Sequence, residues 1–355
     1  MDKGSRKLVL ALSSAFLLLV LLSPMVISTS RASGPTFTKG DVFVDIGGSP
    51  TTILWLRPNA TSVNLVASLS TGTSGEGDGM AFDASGNLYA TVGFAANNIV
   101  KFDTSGNLIG TIGSGYNCHP ESISFSKNDT MYVGQPDCST QVLQFPPGVT
   151  SGTSPTHTYS VQTENRGSDW VDLASDQCTL YYTSEGTTVF NYNVCTNTQE
   201  PPLATGLPGY TAYAHRLLAN GDTLVADTNM IVLLNSTGGV IKTYSAGSLN
   251  DTAGSPLLFA VNIDPDGTSF WTADYFNGQV FKVDIATGSV LLSFNANTFG
   301  SVQFVGGIAV FGEVTQGGPG PSGVPEFGMS SLLVSAAAFA GMAFMLRLRR
   351  NTLKL

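Results

Sequence analysis

Charged side chains, histidines and cysteines are scarce in this sequence, and nothing between its two ends has extended helical periodicity. Only 12% of the 355 residues are charged, and the chain holds 3 His and 4 Cys against 40 Gly. So much glycine with so little charge indicates many tight turns rather than helices. The cysteines also lack the CxxC spacing of a zinc site. These absences favour an all-β fold.

Basic residues are nearly missing from the middle of the chain. The two ends carry 8 of the 16 Lys and Arg but only Asp2 and Glu326 of the 25 Asp and Glu, which leaves 8 basic and 23 acidic residues between Gly34 and Val324. A segment this acidic has no footprint for nucleic acid or anionic lipid. It should attract cations or cationic partners, or simply keep the protein soluble on a crowded surface.

Long hydrophobic runs occur only at the ends. Residues 1–33 combine a basic start, the run LVLALSSAFLLLVLL and small residues around Ala32, which predicts a secretory signal peptide. An uncleaved N-terminal anchor is the alternative. Residues 315–325 form a Gly/Pro linker, and within residues 326–355 a charge-free span from Phe327 to Leu346 precedes three arginines. This pattern predicts a transmembrane helix with a cytoplasmic basic tail.

Residues 323–328 read GVPEFG and resemble the PEFG-type sorting signal of exported ammonia-oxidising archaeal proteins. The resemblance implies that an archaeosortase cuts at the motif and attaches the protein to the surface. A plain single-span membrane anchor is the alternative. Both interpretations predict that the chain is held on the extracellular face of the cell membrane.

The stretch from Asp78 to Ile112 is the repeating unit of the chain. It contains four short strands, GMAFD, LYATV, NIVKFD and LIGTI, with turns of the type SGN after the first and third. Equivalent second strands recur at spacings of 46, 43, 49, 44 and 46 residues, which is the period of a four-stranded propeller blade. These strands are anchored at Val42, Leu88, Met131, Leu180, Leu224 and Phe270.

The last repeat is incomplete in a way that predicts how the ring closes. Gly307 to Phe311 matches only a first strand, whereas Asp41 to Leu69 supplies only second, third and fourth strands. Joining them completes one blade from both termini and protects the edge strands at the seam. We therefore predict a six-bladed β-propeller over residues 34–314.

The phrases DGMAFDASGNLYAT and NNIVKFD resemble NHL-type propeller repeats and are similar to the six-bladed gluconolactonase superfamily. The resemblance implies architecture more than chemistry. In that superfamily a Glu at the start of a first strand binds metal, and Asp78 occupies the matching position. The family's other ligands are an Asn and an Asp that come from later blades. The equivalent positions on the later blades of this chain are Ala214, Phe259 and Gly306.

Four cysteines in an exported chain point to two disulfides. In the blade register Cys118 and Cys138 lie at one rim of a blade, and Cys178 and Cys195 lie at the opposite rim of the next. Pairing Cys118 with Cys138 and Cys178 with Cys195 is the connectivity that avoids spanning the height of a blade.

Acidic residues begin three neighbouring inner strands, at Asp78, Glu121 and Asp169. Like charges brought together around a propeller channel require a cation or a proton, so these residues are the candidate ligands for Ca²⁺ or another divalent cation. His215 and Trp170 are placed near the same funnel as candidate ligand contacts. We assign no catalytic residue.

Four sequons fall in predicted turns, which is consistent with glycosylation of an exported protein. They begin at Asn59, Asn128, Asn235 and Asn250.

Three functions fit this sequence. The first is a surface-anchored binding or scaffold module that recognises a protein, a glycan or a small ligand. The second is a metal-dependent hydrolase of the lactonase type that uses Asp78, Glu121 and Asp169 around a cation, with His215 nearby. The third is a purely structural component of the envelope.

Overall fold

The structure is a computed structural model that describes residues 34–319. The predicted signal peptide and the predicted membrane helix lie outside the described residues. Within the described range no helix is both long enough and apolar enough to cross a membrane.

The described chain forms six antiparallel sheets of four strands, which are the blades of a propeller. Blade 1 contains β24 (Val305–Val310), β1 (Val42–Ile46), β2 (Thr52–Pro58) and β3 (Val63–Ser70). Blade 2 contains β4 (Met80–Phe82), β5 (Leu88–Val92), β6 (Asn98–Phe102) and β7 (Leu108–Ile112). Blade 3 contains β8 (Ser122–Phe125), β9 (Met131–Gly134), β10 (Gln141–Phe145) and β11 (His157–Ser160).

The remaining blades follow the same order from the inner strand outwards. Blade 4 contains β12 (Val171–Leu173), β13 (Thr179–Tyr182), β14 (Val189–Asn193) and β15 (Thr198–Ala204). Blade 5 contains β16 (Ala212–Leu217), β17 (Thr223–Asp227), β18 (Met230–Leu234) and β19 (Val240–Ser245). Blade 6 contains β20 (Leu258–Ile263), β21 (Ser269–Asp274), β22 (Gln279–Asp284) and β23 (Val290–Asn295). Short 3₁₀ helices, Ala246–Leu249 and Ala296–Thr298, follow β19 and β23.

The ring closes through blade 1, as the incomplete last repeat predicts. The inner strand β24 pairs antiparallel with β1, and Val42 lies opposite Val310. The next strands, β2 and β3, come from the N-terminal part of the described chain. The prediction of a six-bladed propeller sealed by both ends is confirmed.

Apolar side chains fill each contact between neighbouring blades. Side chains alternate along a strand, so Phe43 faces blade 2 while Val42 and Val44 face blade 6. Equivalent buried clusters lie between the other pairs of blades in the described ring. Trp55 and Trp271, both on strands, belong to these clusters. The core is therefore a ring of interfaces, and the blades hold one another in place.

Both predicted disulfides are present. Cys118 is bonded to Cys138 with a Cα–Cα distance of 6.1 Å, and Cys178 is bonded to Cys195 with a distance of 5.2 Å. The first bridge joins the loop before β8 to the loop after β9, and the second joins the turn before β13 to the turn after β14. They clamp opposite rims of neighbouring blades, as predicted.

The two ends of the central channel differ. Inner strands begin at one end, which we call the channel mouth, and finish at the other, which we call the closed end. The segment Gly312 to Pro319 follows β24 and lies across the closed end, where Gln316 Nε2 donates to the Leu218 carbonyl at 2.9 Å and Gln177 Nε2 donates to the Gly317 carbonyl at 3.0 Å. A cavity of only about 60 Å³ remains beneath it. The first residues of the predicted linker thus contact the propeller.

The sequon asparagines lie outside the core. Asn59, Asn128 and Asn250 are exposed, and Asn235 is half-buried in a turn. Glycosylation at these positions stays a prediction.

Candidate metal centre at the channel mouth

The inner strands bring three acidic residues to the mouth. Asp78, Glu121 and Asp169 stand just before β4, β8 and β12, and all three are buried. Gly79 makes the approach of the first two strands possible, because a Cβ there would lie 2.3 Å from the Glu121 carbonyl oxygen. The Gly79 amide donates to that carbonyl at 2.6 Å. The repeat therefore brings the three predicted acids to the mouth, where Glu121 and Asp169 fall in one group of possible ligands and Asp78 falls in another.

Glu121 and Asp169 form one carboxylate group with Glu185, a residue that the sequence did not indicate. Their ligand oxygens all lie within 4.8 Å of one another. Among the described residues, no amide, hydroxyl or cationic donor reaches either oxygen of Asp169, whose side chain has no exposed surface. Glu121 Oε2 likewise lacks a hydrogen-bond donor in this part of the chain, although His119 Nδ1 lies 3.7 Å from it. We call Glu121, Asp169 and Glu185 the carboxylate triad.

Burial makes this triad unfavourable as a set of bare charges. It raises the pKa of Asp169 well above its ordinary value, and the nearby Glu185 carboxylate adds to the rise. Burial and the charge of Asp169 do the same to the pKa of Glu121. Such groups can share a proton, or they can surround a cation that neutralises them. The triad offers only oxygen ligands, which suits a hard divalent cation such as Ca²⁺, Mg²⁺ or Mn²⁺.

Asp78 belongs to a second group, with Glu76 and His119. His119 Nε2 lies 3.0 Å from Asp78 Oδ2, and its Nδ1 lies 3.0 Å from Asp137 Oδ2. An imidazole that faces a carboxylate at each nitrogen donates to both only when it is protonated. Burial opposes the charge, but the two carboxylates prevail and raise the pKa of His119 to about 9. This group therefore contains its own cation.

Arg166 connects the two groups across the mouth. Its Nη1 donates to Asp137 Oδ1 at 2.6 Å, and its Nε lies 2.9 Å from Glu185 Oε2. The Cys118–Cys138 disulfide adjoins both His119 and Asp137 in the chain. A covalent bridge thus holds the part of the mouth where charges of opposite sign alternate.

Asp45, on β1, adds a further buried carboxylate. No side-chain donor within residues 34–319 reaches either of its oxygens. Burial raises its pKa well above the ordinary value, and the Asp78 carboxylate contributes to the rise. Gly77 packs directly against it, since a Cβ there would lie 2.1 Å from Asp45 Oδ1. The mouth therefore concentrates more negative charge than His119 and Arg166 can balance.

The closed end also buries carboxylates, but there they have donors. Asp172 accepts hydrogen bonds from the amides of Leu173 and Leu217, both at 2.9 Å. Glu313 accepts from Asn262 Nδ2 and from the Ile263 amide.

Arg216 supplies the positive charge at the closed end. Its Nε lies 3.3 Å from Glu313 Oε1. Burial still raises the pKa of Asp172 and of Glu313, but Arg216 and the hydrogen-bond donors oppose the rise.

The other two residues predicted near the funnel, His215 and Trp170, are buried. His215 is fully buried, and burial together with Arg216 lowers its pKa to about 3, so its imidazole is neutral. Trp170, which directly precedes β12 of blade 4, has no exposed surface and belongs to the buried cluster of blades 5 and 6, with the Arg216 guanidinium 5.5 Å from its ring. Gly306, at the equivalent position of blade 1, leaves room for the Asp78 side chain, because a Cβ at Gly306 would lie 2.5 Å from Asp78 Oδ1. Neither His215 nor Trp170 presents a surface on which a ligand could stack.

Aromatic residues line the other side of the mouth. Tyr213, Phe259 and Tyr275 follow one another, with ring centroids 4.8 and 5.2 Å apart. Phe304 stacks on Tyr275 at 4.9 Å and an interplanar angle of 9°. The Tyr275 hydroxyl donates to Glu76 Oε1 and so connects the aromatic side to the acidic side.

The repeat register could have indicated two mouth residues that the sequence analysis did not name, Glu76 and His119. Glu76 stands two residues before Asp78, and His119 stands two residues before Glu121, so the two positions are equivalent. Glu185 has no such signal. It lies in the loop after β13 with a positive φ of 49°, where a single repeat carries an acid.

Similar folds occur among solved structures. A protein of unknown function from Bacteroides caccae matches with a TM-score of 0.59 and 13% identity, over 76% of this chain and 98% of that one. The WD40 beta propeller domain of Doa1 matches with a TM-score of 0.51 and 13% identity, over 77% of this chain and 88% of that one. No protein-family model matches the chain, and neither does any curated protein. At such low identity the likeness shows the fold alone, which is a β-propeller.

Proposed function

We propose that this protein is an exported, surface-anchored binding propeller whose channel mouth holds a divalent cation, Ca²⁺ by preference, in the carboxylate triad. The cation would neutralise Glu121, Asp169 and Glu185 and fix the loops that carry them. The ligand-binding surface would be the face around that mouth. A β-propeller fold is compatible with a binding or scaffold role of this kind.

The observation that carries the proposal is the state of Asp169. It is completely buried, no donor in the described chain satisfies its oxygens apart from a proton shared with Glu121, and two more carboxylates lie beside it. A buried charge without a partner costs several kcal/mol, so proteins pair such groups or coordinate metals with them. A divalent cation balances the triad with oxygen ligands alone.

The two ends of the described propeller support display of the mouth towards the outside. The Phe37 amide donates to the Thr104 carbonyl in the turn after β6, and the segment Gly312 to Pro319 crosses the closed end. Both ends therefore leave from the face opposite the mouth. If residues 326–355 anchor the protein, the mouth points away from the membrane.

Binding is favoured over hydrolysis because neither His215, the histidine of the lactonase interpretation, nor His119 is free to act as a general base. His215 is buried and neutral. His119 is engaged at both nitrogens. A general base must reach the proton that it removes, and neither imidazole is placed to do so.

Elemental analysis and calorimetric titration with Ca²⁺ test the proposal. The protein should retain or bind one equivalent of divalent cation, and Asp169→Asn should abolish that binding. Asp172→Asn is the matched control, since this buried aspartate lies three residues further along the same inner strand, at the closed end. Its cation binding should be unchanged. A wild-type protein that takes up no divalent cation at millimolar concentration would contradict the proposal.

Accessibility on intact cells tests the direction of display. The described cysteines are all in disulfides, so a new thiol would react alone. Phe276→Cys in a mouth loop should react with a bulky maleimide several times faster than Asn220→Cys at the closed end. Equal rates, or the reverse order, would overturn the proposed orientation.

A further inference from the structure

A groove beside the acidic mouth, between blades 1 and 2, has the composition of a small binding site. It has a volume of about 370 Å³. Its lining combines aromatic rings, one carboxyl, one amide and one hydroxyl, from Phe94, Phe304, Glu76, Gln303 and Ser49. Glycine backbone at Gly48 and Gly75 forms the rest. We call this the Phe94 groove.

Phe94 is an exposed platform that is held in place. Its side chain is 54% exposed, yet its φ of 55° is in the left-handed region, which bulky residues rarely adopt. Its amide donates to the Cys118 carbonyl at 3.1 Å. The ring lies against the His119 imidazole, with centroids 3.9 Å apart. The loop therefore fixes an apolar ring at the surface, where the hydrophobic effect alone would bury it.

The opposite wall of the groove is fixed as well. Phe304 stacks on Tyr275, whose hydroxyl donates to Glu76 and so orients that carboxyl. Gly47 leaves the space for the ring, because a Cβ there would lie 1.7 Å from Phe304 Cζ. Preorganised walls lower the entropy that a ligand loses on binding.

We propose that the Phe94 groove binds the ring of a neutral pyranose, as part of a glycan. The apolar face of such a sugar stacks on an aromatic ring, while its hydroxyls need acceptors and donors around the rim. Phe94 supplies the stacking surface, Glu76 accepts from hydroxyls, and the Gln303 amide can both donate and accept. This inference names the ligand class of the proposed binding function and rests on it.

An organic cation fits the groove less well than a sugar. The inner side of the Phe94 ring already lies against the His119 imidazole, so only the outer face of the ring is open to a ligand. The groove itself has one carboxyl, and that group already receives the Tyr275 hydroxyl.

Saturation-transfer NMR with the methyl glycosides of glucose, galactose, mannose and N-acetylglucosamine tests this inference. At least one pyranoside should receive saturation from the wild-type protein and bind in the millimolar range. Phe94→Ala should weaken that binding about tenfold, because the stacking surface is lost. Phe276→Ala is the matched control: it removes a ring that is 64% exposed in the corresponding loop of blade 6 but outside the groove. It should bind as wild type does.

Three results would overturn the inference: no transfer to any of the four glycosides, transfer that survives Phe94→Ala unchanged, or displacement of the sugar by equimolar tetramethylammonium. Failure of the inference is separable from failure of the proposed cation site. Phe94→Ala should still bind Ca²⁺ with wild-type affinity, whereas Asp169→Asn should lose the cation.

Discussion

The two ends of the channel are built from the same inner strands, yet they treat buried carboxylates in opposite ways. At the closed end Asp172 and Glu313 receive backbone amides, an asparagine and Arg216. At the mouth Asp169 receives no amide, hydroxyl or cationic donor from the described residues, and its one partner is the Glu121 carboxyl with which it shares a proton. The first arrangement is complete as protein structure, and the second requires a proton or a cation from outside. This difference separates structural acids from candidate ligands better than burial does.

The largest effect on stability should follow when the closed end loses the positive charge of Arg216. Arg216→Met leaves the buried Asp172 and Glu313 without a counter-charge, although their hydrogen bonds remain, so we expect the free energy of unfolding to fall by about 3–5 kcal/mol. Chemical denaturation measures this. Arg166→Met at the mouth is the control. That side chain is 42% exposed, and its loss should cost no more than about 1 kcal/mol. Equal losses would contradict the comparison.

The two disulfides offer a second contrast. Replacing either pair of cysteines with serine should lower the free energy of unfolding by about 3 kcal/mol, since the bridges close loops of similar length, at separations of 20 and 17 residues. Only the Cys118/Cys138 variant should also weaken Ca²⁺ binding, because it frees His119 and Asp137, and through Asp137 also Arg166 and Glu185. Titration of both variants decides this. Equal Ca²⁺ affinities would show that the first bridge does not support the mouth.

Asp169→Asn and Asp172→Asn should shift stability in opposite directions in metal-free protein. Asp169→Asn removes a buried charge that lacks a compensating cation, so it should stabilise the fold by about 1 kcal/mol. Asp172→Asn removes an acceptor that serves two amides and faces Arg216, so it should destabilise the fold by about 1–3 kcal/mol. Denaturation in the presence of a chelator measures both. Destabilisation by Asp169→Asn would mean that the Asp169 carboxylate already has a stabilising partner in the metal-free protein, which would contradict the comparison.

A further effect should appear in the pH dependence of the metal-free protein. Burial raises the pKa of Glu76 from 4.5 to about 7 and raises those of Asp45, Glu121 and Asp169 as well. The folded state therefore binds more protons than the unfolded state between pH 4.5 and 7, and stability falls as the pH rises through that window. The melting temperature should be higher at pH 5.5 than at pH 7.5. Saturating Ca²⁺ should reduce this difference, and a difference that Ca²⁺ leaves unchanged would contradict the site.

Repetition explains what the sequence could predict. The strand Gly307 to Phe311 and the two cysteine pairs follow from a period of regular blades, and the structure confirms them. The same period placed Asp78, Glu121 and Asp169 at the starts of inner strands. It could not predict which oxygens meet, because this depends on loops such as the one that brings Glu185 to the triad.

His215 and Trp170 show where the register argument fails. His215 adjoins Ala214, but neighbouring side chains on a strand point to opposite faces. Trp170 adjoins Asp169, and in the same way its ring turns into the core between blades. Proximity along the chain therefore does not place a side chain in the channel.

Anomalous diffraction from crystals soaked in Mn²⁺, used as a substitute for Ca²⁺, tests the central claim most directly. The account predicts an anomalous difference peak within coordination distance of Glu121, Asp169 and Glu185. A peak elsewhere in the propeller, or none at a Mn²⁺ concentration that saturates binding in solution, would contradict it.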